Sequence, residues 1–276
     1  MFDRLGNLIG AWRVPGRDLR VCEDDVFVVS YPKSGNTWVR FIVAMLRAPG
    51  LSIDFGNIEA LVPDIYQNTR RVLSLSPRPR ILKSHEYLDP RYRRVIYVVR
   101  DPRDVAVSYF QFLRKMRSLD DSVSLADFVP QFVAGEADPF GSWADHVGGW
   151  LGARACADDF LLLRYEDMRA DPRAAVKSIA GFIGLDPAEA QLDQVLAQSS
   201  MGAMRRLEQN SGMAWKATRG GIADIPFVGT GEDRSRRSDL PVEARVQIER
   251  RWGEVMAQVG YSFDDVAAGA HGAGVE

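Results

Sequence analysis

This sequence predicts a single-domain α/β fold with a central parallel sheet flanked by helices, and three observations lead there. Short apolar runs that suit buried strands alternate with stretches of helical periodicity, the pattern of a parallel sheet covered on both faces. No internal repeat and no obvious interdomain linker marks a second unit. Polar residues gather just after the strands, where open parallel sheets bind their ligands.

The strand candidates are Val26 to Ser30, Arg80 to Lys83, Val95 to Val99 and Phe160 to Leu163. After the first, Trp38, Phe41, Ile42 and Met45 recur at helical spacing; after the third, Val105, Tyr109, Phe112, Leu113 and Met116 do so. The second of these helices has a marked start, because Asp101 suits the N-cap, Pro102 the first turn and Asp104 the N-terminal dipole. Trp143, Val147, Trp150 and Leu151 predict a further helix. SPRPR (76–80) reads as the lead into a strand. From Trp215 to Asp239 the periodicity gives way to Gly, Arg and Asp, which predicts a long mobile loop. The domain is expected over 1–265, with 266–276 a disordered tail in which His271 takes no role. Phe2, Leu5, Ile9 and Trp12 could form a short amphipathic helix that rests on a membrane surface or, as the favoured reading, packs on the domain.

Composition narrows the function classes. The chain has 276 residues, 46% hydrophobic and 26% charged, as in ordinary globular proteins. No apolar signal core opens the sequence, and no run reaches the ~18 apolar residues of a membrane span, so a cytoplasmic protein is expected. Cys22 and Cys156 form no CxxC, which argues against a zinc site and against a structural disulfide. The net charge of −2 conceals a basic stretch: residues 70–117 hold thirteen Lys or Arg against four Asp or Glu, pointing to an anionic ligand.

Three strand ends carry the chemistry. The first runs into YPKSGNTW (31–38) and then a helix. Helix N-terminal N–H groups attract anions, Gly35 permits close approach, Lys33 supplies a charge, and Ser34 and Thr37 supply hydroxyls. This is a phosphate-type cradle but not the usual P-loop, since Lys33 precedes the one glycine. The second end, KSHEY, presents Lys83 and His85, and a histidine there can take a proton from an attacking hydroxyl. The third, VVRDPRDVAVSYF, presents Arg100, whose planar fork suits a phosphate, and Ser108 on the following helix. Asp101 is better explained as a cap than as a magnesium ligand. His146, in the helix with two Trp, either lines the pocket or is a satisfied buried histidine.

Together these residues resemble the cytosolic sulfotransferase family, which uses 3′-phosphoadenosine 5′-phosphosulfate (PAPS). YPKSGNTW is similar to its 5′-phosphosulfate loop, with Asn36 where Thr is usual, and VVRDPRDVAVSYF to its 3′-phosphate segment. KSH, GSWADHVGGW (141–150) and LRYEDMRADP (163–172) extend the resemblance, in order, from about residue 26 to 262. It implies that Lys33, Ser34, Gly35, Asn36 and Thr37 hold the phosphosulfate, that Trp38 stacks on adenine or packs in the core, and that Arg100 and Ser108 bind the 3′-phosphate. Tyr165, Ser199, Ser200 and Met201 would contact the nucleoside. His85 would be the general base, with Lys33 and Lys83 stabilising charge in place of a metal. The C-terminal cofactor segment departs from the family: FVGTGEDRSRR puts Gly229 and Thr230 at two usually basic positions and keeps Gly231. Arg234, Arg236 or Arg237 could restore the charge. The family's dimerisation motif is absent, which leaves the oligomeric state open.

The acceptor is expected to be a small alcohol or phenol, in a pocket formed by residues 51–75, 118–147 and 215–230. Two other readings stay open at this point. One is a nucleotide kinase or NTPase, which lacks the G-K-[ST] order and a magnesium acid. The other is a non-catalytic anion- or nucleic-acid-binding module, which leaves KSH without a purpose.

Overall fold

The computed structural model describes residues 16–229 and 236–263. The expectations for Phe2, Leu5, Ile9, Trp12, Thr230, Gly231, Arg234, His271 and the 266–276 tail lie outside these residues, and of Arg236 only the backbone is described.

Four parallel strands form one sheet: β1 (Val26–Ser30), β2 (Ile81–Ser84), β3 (Arg94–Val99) and β4 (Phe160–Arg164), in the order β2-β1-β3-β4. Each agrees with its sequence expectation to within one residue at either end. The register pairs Val29 with Ser84 and Ser30 with Val98, so the ends of β1, β2 and β3 lie side by side.

The helices are α1 (Asn36–Arg47), α2 (Ile58–Leu61), α3 (Arg70–Leu75), α4 (Pro102–Lys115), α5 (Leu125–Ala134), α6 (Trp143–Arg154), α7 (Tyr165–Ala170), α8 (Pro172–Phe182), α9 (Glu189–Ser199), α10 (Met201–Ser211) and α11 (Val242–Gln258). Alternation along the strands divides the core in two. Phe27, Val29, Val95 and Tyr97 face α4, α5, α6 and α11, where Trp143, Trp150 and Trp252 are buried. Val26, Val28, Ile96 and Val98 face α1, α8 and α9. A strand buried on both faces must be apolar at every position, which is why VFVVS and RVIYVV were legible as strands.

Helix starts follow local chemistry. Asp101 caps α4 by accepting from the Arg103 N–H, with Pro102 beside it. Ser142 caps α6, and Ser124 caps α5 in a reciprocal box with Asp127. Helix α1 differs: Gly35 precedes it in a left-handed conformation and no side chain caps it.

The expectation of a mobile loop from Trp215 is corrected over Trp215–Gly229. Trp215 is buried between Phe55 and Phe227, and its indole N–H donates to Glu59 Oε1 at 3.0 Å. Lys115, Glu208 and Arg205 hold backbone groups of the same segment. Composition alone could not reveal these anchors, because they come from other helices.

Candidate active site

At the C-terminal edge of the sheet, β1 turns through Tyr31–Gly35 into α1. The turn demands unusual backbone at two positions: Lys33 has φ 67° and Gly35 has φ 105°. Glycine is required at 35 twice over, since a Cβ there would also lie 2.7 Å from Tyr165 Cδ2. The Lys33 side chain lies over aromatic rings, its Nζ 3.6 Å from the centroid of Phe227 and 4.5 Å from that of Phe112.

A cavity of about 680 Å³ opens at this edge. Its walls bring together Lys33, Gly35, Asn36, Thr37, Trp38, Lys83, His85, Arg100, Ser108, Tyr165 and Met201 from the sequence-derived set. Lys33, His85 and Arg100 come from the ends of three neighbouring strands, and parallel register is what assembles them.

Arg100 leaves β3 with its guanidinium carbon 4.4 Å from the Tyr165 ring centroid, while its Nη1 donates to the Lys33 carbonyl at 3.4 Å. Its Nε is buried without a hydrogen-bond partner, an arrangement that costs free energy unless a ligand completes it. Trp38 serves packing and cavity at once: its indole N–H donates to the Ser199 carbonyl at 2.8 Å and its ring meets Tyr165 edge-on.

Expectations for five residues change. Asn36 borders the cavity, but its side-chain nitrogen donates inward to the carbonyls of Val28 and Ser84 and so ties β1 to β2. Ser34 is fully buried beneath the loop and off the cavity wall, its hydroxyl unpartnered. Ser199 is buried and contributes its carbonyl to Trp38, while Ser200 caps α10 at the surface; neither lines the cavity. Arg237 sits on the flank of α4, its N–H donating to Asp104, which lines the cavity, and its guanidinium pairing with Asp101 at 3.3 Å; Arg237 itself is not a wall residue. Backbone and capping demands decided the places of Asn36, Ser199 and Ser200.

His85 Nδ1 is 2.7 Å from the Ser30 carbonyl, which can only accept, so Nδ1 carries the proton and Nε2 keeps its lone pair. Burial, and then the Lys83 charge, hold the imidazole well below its ordinary pKa. It is therefore neutral near pH 7 and able to accept a proton. Lys83 Nζ is salt-bridged to Asp64 at 2.8 Å, and burial lowers its pKa while Asp64 opposes that shift. Asp64 arrives because its segment pairs briefly with the end of β2.

Several wall residues were missed by sequence reasoning: Asp64, Tyr66, Arg40, Phe140 and Glu166. Tyr66 and Phe140 pack near the His85 ring, with centroids 6.3 and 5.7 Å away. They lie in two of the segments expected to form the acceptor pocket, but no local signal singles them out.

His146 is buried off the cavity, bonded to the Tyr97 hydroxyl and the His85 carbonyl. The basic stretch of 70–117 disperses: Arg70, Arg78, Arg80, Arg91 and Arg93 pair with acidic residues, and Arg103 bridges Asp101 to Glu249. Both cysteines are free. Among the described residues one group of ligand-type atoms comes together, Cys22, Asp24 and Asp25, ahead of β1 at the opposite edge of the sheet. Asp24 and Asp25 are already paired with Arg78 and Arg80. No described helix is long and apolar enough to cross a membrane.

Residues 23–260 match the sulfotransferase domain family. Rabbit (Oryctolagus cuniculus) amine sulfotransferase is 33% identical over 205 residues, covering 70% of this chain and 66% of that protein, just under two thirds of its length. Among solved structures, retinol dehydratase in complex with androsterone and inactive cofactor PAP aligns with a TM-score of 0.75 at 18% identity, covering 89% of this chain and 84% of that one. A mouse sulfotransferase complexed with PAP aligns with a TM-score of 0.70 at 23% identity, covering 86% and 85%.

Proposed function

The chain belongs to the sulfotransferase domain family, and from that membership we propose that it transfers a sulfuryl group from PAPS to a hydroxyl or amine of a small acceptor. The observation that carries this is the meeting of Lys33, His85 and Arg100 on one cavity, beyond the ends of adjacent strands. PAP in related structures supports the choice of donor. So do an uncapped helix N-terminus behind a left-handed glycine and the unpartnered Arg100 Nε, both suited to a phosphorylated ligand.

PAPS, when bound, supplies a sulfuryl group on a phosphate leaving group. The protein's part is positioning and charge, as in phosphoryl transfer. Lys33, Gly35 and Thr37, with the α1 N-terminus, hold the 5′ end. Arg100 and Ser108 hold the 3′-phosphate. Tyr165, Trp38 and Met201 border the nucleoside. His85 Nε2 accepts the acceptor's proton, because Nδ1 is committed to Ser30. Lys33 and Lys83 offset the negative charge that develops, a task a metal performs in ATP enzymes. The acceptor enters past Tyr66, Phe140 and Trp215, whose rings favour a partly hydrophobic alcohol or phenol. A cytoplasmic location and the absence of nucleic-acid ligands belong to the same reading.

The test has two arms. Calorimetric titration with PAP and with ATP, each with and without magnesium, should give metal-independent binding of PAP and weak binding of ATP; the reverse preference removes the donor assignment. His85→Ala should then retain PAP binding and lose roughly 10²- to 10⁴-fold in turnover. Radiolabelled PAPS offered with a cell extract identifies the acceptor by what becomes labelled.

A further inference from the structure

His85 stands one residue beyond the end of an edge strand. β2 stops at Ser84, so no ladder partner holds the His85 backbone. Two side chains do this instead. Its N–H donates to the Tyr66 hydroxyl at 2.8 Å, and its carbonyl lies 3.1 Å from His146 Nε2.

The hydrogen placement on His146 follows from its partners. A carbonyl only accepts, so Nε2 carries the proton, and Nδ1 is a bare lone pair. The Tyr97 hydroxyl, 2.7 Å from Nδ1, must therefore donate. Burial pushes the His146 pKa down to about 4, so the ring stays neutral and the order Tyr97 to His146 to His85 carbonyl has one direction. Tyr97 sits on the central strand β3 and is itself fully buried. The chain thus runs from the rigid middle of the sheet to its loose edge.

We propose that His146, oriented by Tyr97, is a positioning residue that fixes the His85 carbonyl and with it the direction in which the imidazole presents Nε2. The inference rests on the reading of His85 as general base. A histidine suits the task because it has one donor and one acceptor on opposite sides of a rigid ring. Glutamine can imitate that pattern; phenylalanine cannot.

Imidazole ¹⁵N NMR tests it without an acceptor, in a chain with three histidines. Wild-type protein should show His146 as the Nε2–H tautomer and His85 as the Nδ1–H tautomer. Tyr97→Phe should leave His146 as the Nε2–H tautomer that the His85 carbonyl demands but without its second anchor, and His85 exchange-broadened. A single sharp, unshifted His85 signal in Tyr97→Phe overturns the proposal, and so does His146 as the Nδ1–H tautomer in the wild type. In turnover with 2-naphthol, His146→Phe should lower kcat on the order of tenfold with PAP affinity unchanged, within the ~10²-fold that an ångström of misplacement can cost. His146→Gln should restore most of it. If His146→Phe does not fold, Tyr97→Phe carries the kinetic test, with a fall of several-fold expected. In a His85→Ala background neither change should matter further, because a purely structural effect would add and a positioning effect would not. An active His85→Ala removes the base assignment; an inactive one beside a fully active His146→Phe removes only the positioning role.

Discussion

The Lys33 ammonium lies 3.6 Å from the centroid of the Phe227 ring, although 194 positions in the chain separate the two residues. The contact is held in place from behind. Glu208 accepts from the N–H groups of Phe227 and Val228 at 2.5 and 2.7 Å, and Lys115 donates to the carbonyls of Ile222 and Ile225 at 3.1 and 2.6 Å. Arg205 adds a bond of 2.7 Å to the Gly229 carbonyl. Two helices thus set the place of one ring against the lysine of the cofactor loop. A cation over an aromatic face is worth about 0.5–2 kcal/mol. Phe227→Leu should lower kcat/KM for PAPS roughly 2- to 30-fold on that scale, and Phe227→Tyr should keep it. Steady-state kinetics of both variants decides the matter: equal losses would mean that the ring's π face is irrelevant.

Glu59 joins four groups that otherwise belong to separate parts of the fold. Its Oε1 accepts from Arg40 at 2.8 Å and from Trp215 at 3.0 Å, and its Oε2 from the Asp64 N–H at 2.8 Å and Asn68 at 2.7 Å. Burial alone would raise the carboxyl's pKa, but Arg40 and these hydrogen bonds outweigh it and hold it at about 2, against an ordinary 4.5. Glu59→Gln leaves the buried Arg40 charge without its counterion and should cost about 3 kcal/mol. The folded pKa is depressed, so this stabilisation is complete above pH 4.5 and is lost as pH falls toward 2. Urea unfolding should therefore show a gap between wild type and variant that is constant near neutrality and narrows through that acid window. A gap independent of pH would refute the linkage.

Gly35→Ala tests the cofactor loop. The left-handed backbone penalises a side chain by ~1–2 kcal/mol, and the new methyl group would press on Tyr165, which borders the same cavity. Thermal unfolding should show the lower stability. Calorimetry should show PAP binding weakened at least about tenfold, or 1.4 kcal/mol. Wild-type affinity in a folded variant would mean that the loop's shape is not what recognises the ligand.

Asp64 governs how readily Lys83 keeps its charge. Burial lowers the Lys83 pKa and the Asp64 carboxylate opposes this from 2.8 Å. Asp64→Asn should therefore lower it further, and activity that depends on the ammonium should fail at a lower pH on the alkaline side. The measurement is kcat against pH for both proteins. An alkaline limb that does not move would take Lys83 out of the reaction.

What the sequence by itself determined were the features written in short windows. Apolar runs marked the strands, most clearly the central β1 and β3, because strands covered on both faces have no wet side. The Asp101–Pro102 start of α4 and the Lys33–Gly35 turn were legible because caps and tight turns are set by neighbouring residues. The sheet's parallel character then put Lys33, His85 and Arg100 at one edge. Tertiary structure decided how those residues are used. Asn36 turned inward because two strand carbonyls needed a donor, and Asp64 met Lys83 through an isolated bridge beside β2. Trp215–Gly229 became ordered because distant charged side chains satisfy its backbone. Hydrogen bonds of this kind depend on angles and distances between segments far apart in the chain, and residue type constrains neither.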